Sequence, residues 1–311
     1  MKHAVAIGCC LLAVAGCGPA SKVPAGEAGK VIGASLLTQT HVFYQDMVSA
    51  MQEEARRQGF TVRIQYAEFD SSRQNNQVET FILQGVDAIV VAPTDSAGIA
   101  PVIAEARAHG IAVFTADIAA HGAEVVAHIA SDNVKGGAIL ADYLANLLDE
   151  EGKVAIIDHP AAASVQERVA GFEHALSRYP KMGIVQKVGG EGQRDKAFRA
   201  AQDLLEAHPD LDAVFGINDD SALGALAAVE AAGLADKVLI VGYDATPEAR
   251  DAILKGKALK ADTVQYPEAI GRETIRTIAA HFRGEDVPEV VPVDVGIVDQ
   301  ASLEAEQSDA K

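Results

Sequence analysis

A chain of 311 residues with 49% hydrophobic and 23% charged residues is globular in composition and long enough for two domains. Its formal net charge of −18, from 26 Lys and Arg against 44 Asp and Glu, argues against a nucleic-acid surface, which needs clustered basic residues against phosphate. Trp is absent, and no basic run or low-complexity tract interrupts the chain.

All three cysteines, Cys9, Cys10 and Cys17, fall in the first 17 residues. Met1-Lys2-His3 followed by the apolar run 4–15 has the grammar of a signal peptide, and the run is shorter than the roughly 20 apolar residues that span a bilayer. Val14-Ala15-Gly16-Cys17 resembles a bacterial lipobox, where small residues admit the processing enzyme and the cysteine takes lipid. The alternative is a plain secretory signal cut near Ala20. On the lipobox reading, residues 1–16 are the signal peptide and Cys17 ties the protein to a membrane outside the cytoplasm. A sole mature cysteine leaves no disulfide framework and no thiol metal site. Residues 17–29, small and rich in Pro and Gly, read as a flexible tether.

From Lys30 onward short apolar runs alternate with segments of helical period. Val31–Leu36 reads as a buried strand, 42–58 as a helix closed by Gly59, and Val62, Ile64 and Tyr66 as an alternating strand. A helix face at Val78, Phe81 and Ile82 ends at Gly85. Strand 88–92, helix 99–109 and strand 112–116 follow, and His128 sits in a strand as a core or half-buried residue. The alternation continues with helix 134–149, strand 153–158, helix 163–177, strand 183–188, helix 195–207, strand 213–217, helix 221–232, strand 238–243, helix 247–255, strand 258–264 and helix 267–283. This pattern predicts α/β architecture, with parallel sheets covered by helices and ligands bound beyond the strands' carboxyl ends.

An internal echo accompanies the alternation. Asp87-Ala88-Ile89-Val90 and Asp95-Ser96-Ala97 return in the same register as Asp212-Ala213-Val214-Phe215 and Asp220-Ser221-Ala222. In each copy a later strand ends in aspartate, at Asp117 and Asp244. Any two strand–helix–strand units look alike; the sharper reading is two similar lobes whose strand-end aspartates face one cleft.

Catalytic patterns are missing. There is no phosphate-binding Gly-rich loop with Lys-Ser/Thr and no Gly-x-Ser-x-Gly elbow; 189–192 reads as a turn. Nine histidines form no His-x-x-x-His pair. His159 reads as a turn or cleft-lining residue. Asp219-Asp220 reads as one helix N-cap plus one dipole partner. No catalytic residue, metal site or cofactor is expected.

Several ordered motifs carry a resemblance: Ala92-Pro93-Thr94-Asp95-Ser96, Ile129-Ala130-Ser131-Asp132-Asn133, Asn218-Asp219-Asp220-Ser221-Ala222-Leu223-Gly224, and Val241-Gly242-Tyr243-Asp244-Ala245-Thr246-Pro247. Over about 30–299 the chain resembles the ribose-binding group of type I periplasmic binding proteins, which serve sugar ABC importers. The resemblance implies two Rossmann-like lobes joined by three crossovers, 30–131 plus 266–291 and 132–265 plus 292–300, with 301–311 a frayed polar tail. It implies a monomer that binds a sugar and hands it to an ABC permease with its ATPase, without catalysis.

By match, Phe43 and Tyr44 would pack against the sugar's apolar C–H face. Asp117 and Asp244 would accept from hydroxyls, Arg168 would grip two of them, and Asn218 and Gln265 would donate and accept. Ala92, Ile118 and His41 stand where ribose binders carry asparagine, arginine and asparagine, and Gly192 falls near a usual phenylalanine. Ala92 and Ile118, apolar where polar contacts are usual, imply a small neutral sugar or polyol with a carbon or a missing hydroxyl at that corner, with ribose bound weakly. The rival from another class is a ligand-presenting part of a receptor system; a cytoplasmic regulator of this fold is opposed by the signal sequence.

Overall fold

The computed structural model describes residues 29–309. The signal peptide, the lipobox with Cys17, and nearly all of the tether lie outside the described residues.

The chain first lays down β1 (Val31–Leu36), α1 (Val42–Gln58), β2 (Thr61–Tyr66), α2 (Ser71–Leu83), β3 (Ala88–Val91), α3 (Ala100–Ala108), β4 (Ala112–Ala116) and β5 (His128–Ser131). The second series is α4 (Asn133–Leu147), β6 (Glu151–Asp158), α5 (Ala163–Leu176), β7 (Lys181–Gly189), α6 (Arg194–Ala207), β8 (Ala213–Gly216), α7 (Asp219–Ala231), β9 (Leu239–Asp244), α8 (Pro247–Leu254) and β10 (Leu259–Val264). It closes with α9 (Pro267–Phe282), β11 (Val290–Val293), β12 (Gly296–Asp299) and α10 (Gln300–Asp309).

These strands form two six-stranded sheets, β2-β1-β3-β4-β5-β11 and β7-β6-β8-β9-β10-β12. The first is parallel throughout; in the second only β12 runs antiparallel, on β10. Unbroken apolar strands such as Ala88–Val91, buried at every position, are what a parallel sheet covered on both faces requires. Within each lobe the first five strands have the same spatial order, which reverses beside the first strand. The polypeptide passes between the sheets after β5, after β10 and after β11.

Some elements differ from their sequence reading. Helix α4 stops at Leu147, because Asp149 and Glu150 turn the chain with φ of 49° and 61°. Asn218 caps α7 by accepting from Ser221 N at 2.9 Å, so Asp219 and Asp220 are both first-turn residues and neither is the cap. Pro292 and Val293 pair with β5, so the last crossover falls at 294–295 and not after 291. The 301–311 tail is helical through Asp309: Leu303 is buried, and Glu306 pairs with Arg250 of α8 at 2.9 Å.

The lobes touch directly. One apolar cluster runs from Phe43, Tyr44 and Ile118 in the first lobe to Ala162, Val165, Ile217 and Tyr243 in the second. Ser96, after β3, donates its N–H to Ala161 O (3.0 Å) and accepts from Ala163 N at its Oγ (2.9 Å).

Candidate ligand site

A cavity of about 510 Å3, open solvent at its mouth included, lies between the lobes at the strands' carboxyl ends. Asp117 follows β4 and Asp244 ends β9, so the two carboxylates occupy the same topological place in their lobes. Both depart from ordinary backbone, with φ of 67° and 115°. Such conformations persist only where the surroundings over-determine them.

In the first lobe, His41 caps α1 through Nδ1, which accepts from Phe43 N at 3.2 Å. Its Nε2 faces Asp244 Oδ2 at 3.3 Å across the cleft. Burial opposes the imidazolium, but the hydrogen bond and charge of Asp244 outweigh it and raise His41 to about 9. The long cap bond is the one that yields when the ring takes its second proton. Phe43 and Tyr44 meet edge to face, 5.2 Å apart, and both are buried. Tyr44 donates its hydroxyl to Asp117 Oδ2 at 2.6 Å. Burial pushes the Asp117 carboxyl up to about 6, although Arg168 and Tyr44 pull it down.

In the second lobe, α4 and α5 approach so closely that a Cβ on Gly137 would meet Arg168 O at 2.0 Å, and one on Gly171 would meet Val134 O at 2.1 Å. This contact sets Arg168 beside Asn133. Arg168 Nε donates to Asn133 Oδ1 (2.8 Å) and Nη1 to Ile217 O (3.0 Å), with the guanidinium 4.0 Å from the Tyr243 ring centroid. The group is held in place with donors to spare. Gln265 Nε2 donates to Asp244 Oδ1 at 2.6 Å, while its buried Oε1 lacks a partner among the described residues. Asn218 Oδ1 is occupied as the α7 cap and Nδ2 donates to Gly192 O at 3.2 Å, which leaves it one N–H for a ligand.

Nine of the ten residues singled out from the sequence line this one cavity: His41, Phe43, Tyr44, Asp117, Ile118, Arg168, Asn218, Asp244 and Gln265. Ala92 does not. Gln74 ties down the chain there, donating to Ala92 O at 2.9 Å and accepting from Thr94 N at 2.7 Å, and the Ala92 methyl packs in the apolar core. The lining also includes Leu37, Thr38, Phe69, Ser164 and Glu191, which the sequence reading passed over, and His159. Several directly follow strands β1, β2, β6 and β7, so the strand-end rule itself was the signal for them. Among the described residues, no cluster of three or more His, Cys, Asp or Glu could hold a metal ion, and no helix is long and apolar enough to cross a membrane.

The sequence model of a family described as periplasmic binding protein domain matches residues 32–286. The ribose import binding protein of Bacillus subtilis is 34% identical over 261 residues, 84% of each chain. An ABC transporter solute binding protein from Mycobacterium smegmatis, solved with bound glycerol, is 35% identical with a TM-score of 0.84, covering 89% of this chain and 96% of that one. The fructose binding periplasmic domain of a hybrid two component system is 25% identical with a TM-score of 0.85, over 90% and 94% of the two chains.

Proposed function

This chain belongs to the type I periplasmic binding proteins, and we propose that it captures a small neutral sugar or polyol between its lobes and delivers it to the permease of an ABC importer. The observation that carries this reading is the pairing of Asp117 and Asp244, one from each lobe, in a cavity that also holds Arg168. Carboxylates accept from hydroxyls, a buried guanidinium donates to them, and Phe43 offers an apolar wall for carbon. Two carboxylates offset the Arg168 guanidinium and the His41 imidazolium, which leaves no surplus positive charge to hold a phosphorylated sugar. The work is binding alone: ligand bridges the lobes, and the closed form is what a permease recognises.

The finer ligand preference rests on Ile118, since Ala92 lies in the core. Ile118 brings an apolar side chain where ribose binders place arginine, and a ligand hydroxyl left unpaired there costs about 1–3 kcal/mol. A deoxy or branched sugar, or a short polyol, fits better than ribose. A thermal-shift screen of glycerol, D-ribose, 2-deoxy-D-ribose, D-fructose and myo-inositol, followed by calorimetry, tests this. At least one member should bind, ribose should not be the tightest, and Asp117→Ala and Asp244→Ala should each weaken binding by about 1.5–3 kcal/mol. Full affinity in both variants would end the assignment.

The likeness to the fructose binding domain of a hybrid two component system supports a second reading, in which the loaded protein is presented to a receptor. Neighbouring genes for a permease and ATPase, or for a receptor kinase, distinguish the two.

The family's place is outside the cytoplasm, and a lipid on Cys17 would hold this protein at the membrane surface. Expressed in a bacterium that processes lipoproteins, the wild-type chain should partition with membranes and Cys17→Ser should not. Unmodified wild-type protein in the soluble exported fraction would refute the anchor.

A further inference from the structure

The second lobe holds two carboxyl groups that ligand binding does not use. Asp219 opens α7 and Asp262 lies within β10; they are 2% and 0% exposed. Asp262 pairs in register with Gly242 of β9. Its carboxyl lies over that glycine so closely that a Cβ there would meet Oδ1 at 2.1 Å. Helix α7 packs on β9: the same Cβ would meet the Ala222 methyl of α7 at 2.9 Å, and Asp219 stands one turn before Ala222, which puts it beside Asp262. Asp219 Oδ2 accepts from Thr246 N at 2.6 Å. Asp219 Oδ1 and both oxygens of Asp262 have no donor in good geometry among the described residues.

Two neighbouring carboxylates away from water cannot both stay ionised, because each charge loses its solvation and repels the other. A single proton between them removes the repulsion and supplies the missing donor. Asp219 is the group to keep the charge: it receives the Thr246 N–H and stands in the first turn of α7, where the helix dipole favours an anion.

We propose that Asp262 is a neutral acid donating its proton to an ionised Asp219, and that this pair positions the ligand site by fixing the turn that carries Asp244. The turn needs fixing. Asp244 and Ala245 are successive non-glycine residues at φ of 115° and 57°, and the Thr246 N–H held by Asp219 is the next backbone donor along the chain. The bearing of the pair on ligand rests on the sugar-binding reading; the shared proton does not.

The surrounding charges agree. Burial and then the charge of Asp244 push the Asp219 carboxyl up; burial and then the charge of Asp219 push Asp262 well up. Across the cleft, His41 feels Asp219 and Asp220 but spends its hydrogen bond on Asp244. Asp220 is paired with Arg194 at 3.1 Å, and Tyr243 on β9 is held un-ionised by burial. No Lys or Arg is paired with Asp219 or Asp262 among the described residues. A carboxyl whose pKa is raised by folding gives its full stability below the unfolded value of about 3.9 and loses it as pH rises through the folded value.

Thermal melting of the mature chain without ligand, from pH 4.5 to 9, tests the shared proton. Asp262→Asn donates the same hydrogen bond from an amide and takes up no proton. Its melting temperature relative to wild type should therefore rise by several degrees across that range. A difference that does not change with pH overturns the shared proton. Hydrogen exchange at the Thr246 amide tests the positioning role. Asp219→Ala should exchange there at least tenfold faster, with Asp262→Asn within twofold of wild type; unchanged protection in Asp219→Ala overturns it. Should Asp219→Ala not fold, Asp219→Asn decides, since it keeps an acceptor for Thr246 and offers a donor to Asp262. It should retain the protection and flatten the pH profile, and a profile like that of wild type overturns the pair. Neither measurement contains ligand, so a chain that bound no sugar would refute the binding reading while leaving this pair to be judged independently.

Discussion

At the scale of single residues, the Tyr44 hydroxyl governs what Asp117 can offer a ligand. An ionised carboxylate has two oxygens, and Tyr44 occupies Oδ2 at 2.6 Å. Asp117 lines a cavity whose first-lobe wall includes Leu37, Phe43, Phe69 and Ile118, and its Oδ1 is the oxygen not taken by Tyr44. The Arg168 charge and then the Tyr44 bond hold to about 6 a buried carboxyl that desolvation pushes upward. Tyr44→Phe should therefore cost about 1–3 kcal/mol of stability by urea unfolding at pH 8, where Asp117 is ionised, and less at pH 5. The sign follows from linkage: Asp117, raised on folding, contributes most below the unfolded value and loses that contribution as pH climbs through 6, and removing its donor steepens the loss. Equal losses at both pH values would show that the hydroxyl does not bond the charged form.

Among elements, the buried parallel strands and the helices between them were legible because each carries its own period and its own punctuation. Gly59, for example, ends α1 at φ 75° with its N–H on Ala55 O and Arg56 O. The stretch beyond 283 was not legible. β11 and β12 are four residues each, and β11 contains Pro292, tolerable only at a sheet edge. Helix α10 is polar along most of its length, and the contacts that hold it come from α8 and β12. The start of α5 was read correctly at 163, but not what caps it: Ala161-Ala162-Ala163 contains no capping side chain, and Ser96, far away in sequence and in the other lobe, supplies the cap.

For the whole molecule, that cap matters because it crosses the cleft. The N–H of Ala163 finds Ser96 Oγ only when the lobes meet, so the bond adds to closure without touching ligand. With the tightest ligand of the screen, scattering should show a smaller radius of gyration than without it. Ser96→Ala should weaken that ligand by about 0.5–2 kcal/mol, the worth of a helix cap, through loss of the closed form. Unchanged affinity would mean that the helix end is equally well satisfied when open.

From the sequence by itself came the two-lobed α/β plan, shown in the paired sheets and in the family match, and nine residues that the fold collects around one cavity. The plan is local in origin, since strand and helix periods are written within about ten to twenty residues. The nine residues were reached through the family resemblance; Asp117 and Asp244 also follow from the ligand-facing ends of parallel strands, whereas Arg168 lies inside α5, where no strand-end rule finds it. Only the tertiary structure decided that Ala92 lies in the core beneath Gln74, that Tyr44 holds Asp117, that Asn218 spends its acceptor on α7, and that Asp219 meets Asp262. Each of these depends on which side chain from a distant segment arrives first at a hydrogen-bonding atom. That competition is settled by packing in three dimensions and leaves no periodic trace along the chain.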